Sequence, residues 1–143
     1  MNVSEVMSTK PVFLPPNASL KDAATKMKEL DCGFIPVGEN DKLIGAVTDR
    51  DIVLRTLAEG KDPTKATLKD VMSDHIEYCF EDEDLDKTID QMKSKQIHRL
   101  VVLNKDKRMT GILALGDIAR KTNDATQCGE AVEGILEDEK RAH

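Results

Sequence analysis

The chain repeats itself. Gly45-Ala46-Val47-Thr48-Asp49-Arg50-Asp51, followed by Ile52, returns as Gly111-Ile112-Leu113-Ala114-Leu115-Gly116-Asp117, followed by Ile118, at an offset of 66 residues (111 − 45). Val6-Met7-Ser8 returns as Val71-Met72-Ser73 at an offset of 65 (71 − 6), and Leu20, Met27 and Lys28 return as Leu85, Met92 and Lys93 at the same spacing. Internal repetition at this period is the first constraint on the fold. A half of about 60 residues buries too little surface to stand alone, so the economical arrangement is two copies that clasp face to face, sheet to sheet, about a pseudo-twofold axis. Two equivalent clefts follow from that expectation.

Each copy carries one order of elements, β-α-β-β-α, which places the chain in the mixed α/β (α+β) class. In the first, Val12-Phe13-Leu14 reads as a strand ended by Pro15-Pro16, because proline donates nothing to a ladder. Ser19 stands at a helix cap with Asp22 three residues on, and Leu20, Ala23, Ala24, Met27 and Leu30 form an apolar stripe at helical spacing. Phe34 to Val37 and Leu43 to Thr48 flank the turn formers of Gly38-Glu39-Asn40-Asp41-Lys42, giving a hairpin. Asp51 to Leu57 closes the copy as a helix. In the second copy the same pattern predicts a strand at Ile76 to Phe80, a cap at Asp84, and a stripe of Leu85, Ile89 and Met92. A hairpin of Arg99–Leu103 and Met109–Ala114 and a helix from Asp117 to Thr122 follow. Glu59 to Thr67, with its Gly, Pro and lysines, is a linker. These readings divide the chain into repeats at 1–61 and 62–124 and a tail at 125–143, where Val132, Ile135 and Leu136 share one side of a terminal helix.

Composition narrows the function classes. A net charge of −6 and only Phe13, Phe34, Phe80 and Tyr78 as aromatics speak against a nucleic-acid surface, which needs a basic face and stacking platforms. No apolar run approaches the ~20 residues of a membrane span, and Met1 to Lys10 lacks the features of a signal peptide, so the cytoplasm is the expected compartment with no membrane partner. Cys32, Cys79 and Cys128 are odd in number and widely spaced, which fits neither a disulfide framework nor a zinc pattern. No Gly-rich phosphate loop, nucleophile elbow or metal-ligand cluster is present, so an enzyme is not expected.

The paired Val-Met starts, the Gly33-Phe34-Ile35-Pro36-Val37 and His98-Arg99-Leu100-Val101-Val102 strands, and the G-x-x-T-x-x-D closing segment resemble a tandem pair of cystathionine β-synthase (CBS) domains, a Bateman module. The likeness runs from residue 3 to about residue 122. It implies a non-catalytic regulatory module that senses an adenosine-containing ligand (AMP, ADP or ATP foremost, otherwise NAD or S-adenosylmethionine) in the cleft between repeats. It also implies a homodimer and a separate regulated protein.

The resemblance further implies site residues. The threonine and aspartate that hold phosphate and ribose in the family match Thr48 and Asp51, with Asp117 as the counterpart in the second copy. A carboxylate accepts from both ribose hydroxyls, and each such charge-assisted bond contributes about 1.5–3 kcal/mol. The same aspartates also suit plain helix caps. Phe34, Ile35, Pro36 and Val37 match the segment that reads and sandwiches adenine, and are equally a core strand. Thr9, Lys10, Pro11 and Val12 match the segment that closes over the nucleoside. Ile97-His98-Arg99-Leu100 is similar to the gamma subunit of AMP-activated protein kinase, where the His-Arg pair approaches phosphates; His98 and Arg99 serve equally as structural donors. Arg50 is a further phosphate candidate, with Arg55 and Arg120 behind it. Ala114 lacks the hydroxyl of Thr48, which implies a weaker second cleft for a phosphorylated ligand. The alternative function is a structural dimerisation or protein-interaction module with empty clefts, using the tail from Ala125 to Ala142.

Overall fold

The computed structural model describes residues 1–9 and 11–136; Lys10 and the end of the tail lie outside the described residues. The chain forms two compact units: a central unit, Val12–Ile76, and a terminal unit made of Met1–Pro11 and the chain from Glu77 onward. Packing therefore hands the opening segment of the first copy to the second copy's body. The stretch that opens the second copy goes in the same way to the first copy's body.

Backbone hydrogen bonds make this exchange. In the terminal unit β1 (Ser8–Thr9) runs antiparallel to β6 (Met109–Ala114), Ser8 opposite Ile112 and Thr9 opposite Gly111. In the central unit the equivalent residue, Ser73, bonds Ala46 in both directions, at 2.9 and 3.0 Å. The repeated glycines are explained by this crossing. A Cβ on Gly111 would lie 2.6 Å from the Ser8 carbonyl oxygen and 2.7 Å from Met7 Sδ, and one on Gly45 would lie 2.6 Å from Met72 Sδ. Only a residue without a side chain lets the Met-Ser backbone pass so close.

The terminal unit holds a four-stranded sheet in the order β1-β6-β5-β4, where β4 is Tyr78–Phe80 and β5 is Arg99–Leu103. The central unit keeps the same order in reduced form. Its hairpin of β2 (Phe34–Glu39) and β3 (Lys42–Thr48) is flanked by single bridges at Leu14–Val37 and Ala46–Ser73. The hairpin turns at Asn40 and Asp41, both at positive φ (53° and 65°), as a two-residue turn of primed type demands.

The expected strand Val12-Phe13-Leu14 is thus corrected to one bridging residue, and Pro36 supplies the reason. Leu14 donates to the Pro36 carbonyl and accepts from Gly38 N, but Pro36 has no N–H to offer the carbonyl of residue 12. At the matching place in the other unit Val101 N donates to Glu77 O at 3.4 Å, and β4 extends as a parallel partner of β5. The strand expected from Ile76 is accordingly confined to Tyr78–Phe80.

Helix α1 (Leu20–Leu30) begins at Ser19, whose Oγ accepts from Asp22 N at 3.0 Å. It buries Leu20, Ala23 and Met27, whereas Ala24 and Leu30 of the expected stripe are exposed. In α4 (Leu85–Lys95) the position matching Ala24 is Ile89, which is buried. The difference is α6 (Ala125–Leu136), which packs on α4 and on α5 (Leu115–Lys121) and drives Ala131 and Ile135 into the terminal core. The buried side of α6 is thus Ala131 and Ile135, with Val132 exposed and Leu136 half-buried, not the trio expected from the sequence.

Two single-turn helices escape periodicity altogether: a 3-10 turn at Val3–Glu5, and α3 (Leu68–Val71). Val3 and Val6 anchor the opening segment in the terminal core, while Leu68 and Val71 anchor its counterpart in the central core; all four are buried. Fully burying such a side chain contributes about 1.5–3 kcal/mol, so these anchors hold the exchanged segments in place. No helix among the described residues is long and apolar enough to cross a membrane.

Candidate functional site: the strand-to-helix corners

In the central unit β3 ends at Thr48 and α2 (Asp49–Ile52) starts at once, running on into a wider helical turn at Val53–Leu57. The closing helix starts ahead of Asp51 because Thr48, at extended φ and ψ, is the cap and Asp51 the third helical residue. Thr48 Oγ1 accepts from Asp51 N at 3.0 Å, and Asp51 Oδ2 accepts from Thr48 N at 2.9 Å, a reciprocal capping box. The capping role that the sequence allows for Asp51 is therefore made. Among the described residues Asp51 Oδ1 then meets Arg55 Nη2, at a loose 3.8 Å, with the side chain 21% exposed.

Around this corner Phe34 stands opposite Thr48 in register, and Asp49 N donates to Gly33 O at 3.0 Å. Ile35 and Val37 are buried in the central core and Pro36 is buried beside them. Arg50 is exposed on the first turn. Arg55 turns to the carbonyls of Val71 and Met72, at 2.7 and 3.0 Å, and so fastens the exchanged segment to α2 and its continuation.

The terminal corner has the same backbone and different chemistry. Alanine has no oxygen to cap with, so only half the box forms: Asp117 Oδ2 accepts from Ala114 N at 2.9 Å. Asp117 Oδ1 takes the Ser8 hydroxyl at 3.1 Å and Arg120 Nη2 at 2.9 Å. The carboxylate is 4% exposed. Arg99 stands opposite Ala114, and the His98 carbonyl accepts from Leu115 N at 3.0 Å; both His98 and Arg99 are exposed. Lys121 Nζ grips the Val6 and Met7 carbonyls as Arg55 grips their equivalents.

The candidate residues thus fall into two groups. Thr48, Arg50, Asp51, Phe34, Ile35, Pro36, Val37 and Val12 belong to the central unit; Thr9, Pro11, His98, Arg99 and Asp117 belong to the terminal unit. Lys10 lies outside the described residues. Ser8 and Thr9 pair with Ile112 and Gly111 in the terminal unit, and the central unit receives Ser73 beside Ala46 in the place of Ser8. Sequence reasoning missed Ser8 as a partner of Asp117. The repeated Val-Met-Ser was the available signal, since it marks two equivalent segments without saying which body each joins. Among the described residues, no group of three or more His, Cys, Asp or Glu side chains is placed to hold a metal ion.

Comparison with known proteins fits this architecture. The CBS domain family model matches residues 3–57 and 68–124. The uncharacterised protein YlbB of Bacillus subtilis is 38% identical over 122 residues, spanning 84% of this chain and 81% of that protein. The crystal structure of Hypoxic Response Protein I with two coordinated zinc ions superposes with a TM-score of 0.73 at 33% identity, covering 84% of this chain and 98% of that one; a protein named hypoxic response protein 1 in Mycobacterium tuberculosis is 34% identical over 117 residues, 81% of each chain. The CBS domain pair of protein MJ0100, in complex with 5′-methylthioadenosine and S-adenosyl-L-methionine, superposes with a TM-score of 0.73 at 26% identity, covering 84% of this chain and 94% of that one. Two copies of one fold, closed by matching corners and matched twice by one family model, make this chain a member of the CBS domain family, with a tandem pair of repeats.

Proposed function

We propose that the chain is a non-catalytic regulatory module that binds an adenosine-containing ligand at the Thr48–Asp51 corner of the central unit. The observation that carries this reading is the half-open Asp51: one oxygen holds the cap while the other is loosely paired and partly exposed. An acceptor so placed takes both hydroxyls of a ribose without dismantling the helix start. The MJ0100 complex with two adenosyl compounds supports the ligand class. Thr48 offers its hydroxyl hydrogen to the same ligand, while Phe34 supplies apolar surface next to it.

Asp117 has to give up Ser8 or Arg120 before it meets a ribose, and so the terminal corner is the weaker of the two. The ligand regulates by binding two arrangements of the module, or of a homodimer, with different affinity, because nothing else shifts an equilibrium. The output falls on a separate protein.

Thermal unfolding with AMP, ADP, ATP, NAD and S-adenosylmethionine at millimolar concentration tests this. Selective binding to the folded state at 100 times Kd adds about 2.7 kcal/mol. At least one compound raises Tm by several degrees in wild type. Asp51→Asn, which keeps a capping oxygen, loses most of that rise. No shift with any of the five contradicts the reading.

A further inference from the structure

The two corners differ in charge at three neighbouring positions. Gly33, Phe34 and Asp49 of the central unit stand where the terminal unit has His98, Arg99 and Leu115. In each unit the third residue's N–H bonds the first residue's carbonyl, at 3.0 Å. The second residue faces the cap position across the hairpin, Phe34 opposite Thr48 and Arg99 opposite Ala114. The central corner has thus lost a histidine and an arginine and gained a carboxylate.

That carboxylate has a built place. A Cβ on Gly33 would fall 2.7 Å from Asp49 Oδ2 and 3.0 Å from its Cγ and Oδ1, so glycine makes room for the acid directly ahead of β2. Asp49 Oδ1 also accepts from Arg50 N at 2.9 Å, which fixes the side chain over the first turn. The corner then carries Asp49 and Asp51 against Arg50 and Arg55, and Arg55 is already engaged with two carbonyls and Asp51. The terminal corner carries Asp117 against Arg99, Arg120 and Lys121.

We propose that Asp49 sets the ligand class of the central corner, selecting adenosine compounds whose 5′ substituent is neutral or cationic over those bearing phosphates. The proposal rests on the adenosyl-binding reading and deepens it. A ribose held by Asp51 would lie on the turn that also carries Asp49, and a charge there acts on any 5′ group that comes within a Debye length, about 8 Å at physiological salt. A polyphosphate there meets a like charge; a sulfonium or a thioether does not.

Titration calorimetry of the full chain with 5′-methylthioadenosine, S-adenosylmethionine, AMP and ATP, in wild type and Asp49→Asn, tests it. The asparagine keeps the acceptor for Arg50 N, and circular dichroism verifies the fold. Wild type is expected to bind S-adenosylmethionine or 5′-methylthioadenosine at least about tenfold more tightly than ATP. Asp49→Asn narrows that ratio at least about threefold, mainly by gaining affinity for AMP and ATP, and raised salt narrows it in wild type alone. Wild type that prefers AMP or ATP, or an unchanged ratio in Asp49→Asn, overturns the role of Asp49 and leaves adenosyl binding standing. Failure of all four compounds to bind overturns both.

Discussion

The central and terminal corners are one backbone drawn twice, and they teach how a duplicated fold divides its labour. Both end a strand, turn into a helix and place an aspartate three residues past the cap. At the terminal corner that aspartate is buried and takes three partners, Ala114 N, the Ser8 hydroxyl and Arg120. At the central corner it takes Thr48 N closely and Arg55 loosely, and stays partly exposed. The same motif is an available acceptor at one corner and an internal clasp at the other, where Ser8 and Arg120 donate to it; the equivalent Ser73 turns its hydroxyl to the His75 carbonyl instead.

Replacing each aspartate separates the two roles most strongly. Asp117→Ala leaves Ala114 N and the Ser8 hydroxyl without their acceptor and removes the partner of Arg120; a loss of about 3–4 kcal/mol in urea unfolding is expected. Asp51→Ala removes half of a capping box and is expected to cost about 1 kcal/mol. Equal losses would erase the distinction between clasp and available acceptor.

The glycines give the next largest contrast. Gly111→Ala drives its methyl into the Ser8 carbonyl oxygen, and a backbone atom yields poorly, so about 2–3 kcal/mol is expected. Gly45→Ala meets first the flexible end of Met72, with the Ser73 carbonyl oxygen at 3.0 Å, and should cost about 1 kcal/mol less. The reverse order would show that the exchanged segments are held differently from this description.

Cys79 sharpens the comparison by pH. It is buried in the terminal core, and burial, with a smaller contribution from Glu83, pushes its thiol up from 9.0 to about 12. An acid whose folded pKa is raised ionises first in the unfolded chain. Its stabilising effect is therefore complete below pH 9 and is lost progressively as pH rises from 9 towards 12. Cys79→Ala should flatten the alkaline fall in stability. In native protein at pH 8 Cys79 should label with a thiol reagent far more slowly than the half-buried Cys32 and Cys128.

Pro36→Val is the gentlest probe. Restoring an N–H lets the carbonyl of residue 12 find a donor, as Glu77 does with Val101. Amide exchange at Leu14 should slow severalfold with little change in overall stability. No change would mean that something other than Pro36 keeps this edge from becoming a strand.

Much of this was legible in the residues, and the reasons for the rest are specific. The hairpin at Asn40-Asp41, the cap at Ser19 and the apolar positions Leu20, Ala23 and Met27 are local features, each with its own chemistry in the chain. The bridge at Leu14 was misread as a strand because the deciding group, the missing N–H of Pro36, lies 22 residues away (36 − 14). The outward turn of Ala24 and the burial of Ile89 depend on α6, which packs on α4 and α5 of the terminal unit and follows only the second copy in the chain. The Ser8–Asp117 bond spans 109 residues, and no periodicity encodes it. Repetition shows which residues are equivalent; it does not show which body they join.

The central claim is that an adenosyl ligand is held at the first copy's strand-to-helix corner. The most direct measurement is a nuclear magnetic resonance titration of uniformly labelled protein with 5′-methylthioadenosine, followed through backbone amides. Saturable shifts at Thr48 to Asp51 and at Phe34, Ile35 and Val37, larger than those at Ala114 to Asp117 and abolished by Asp51→Asn, are the predicted result. Saturable shifts that bypass Thr48 to Asp51, or that survive Asp51→Asn unchanged, would contradict it.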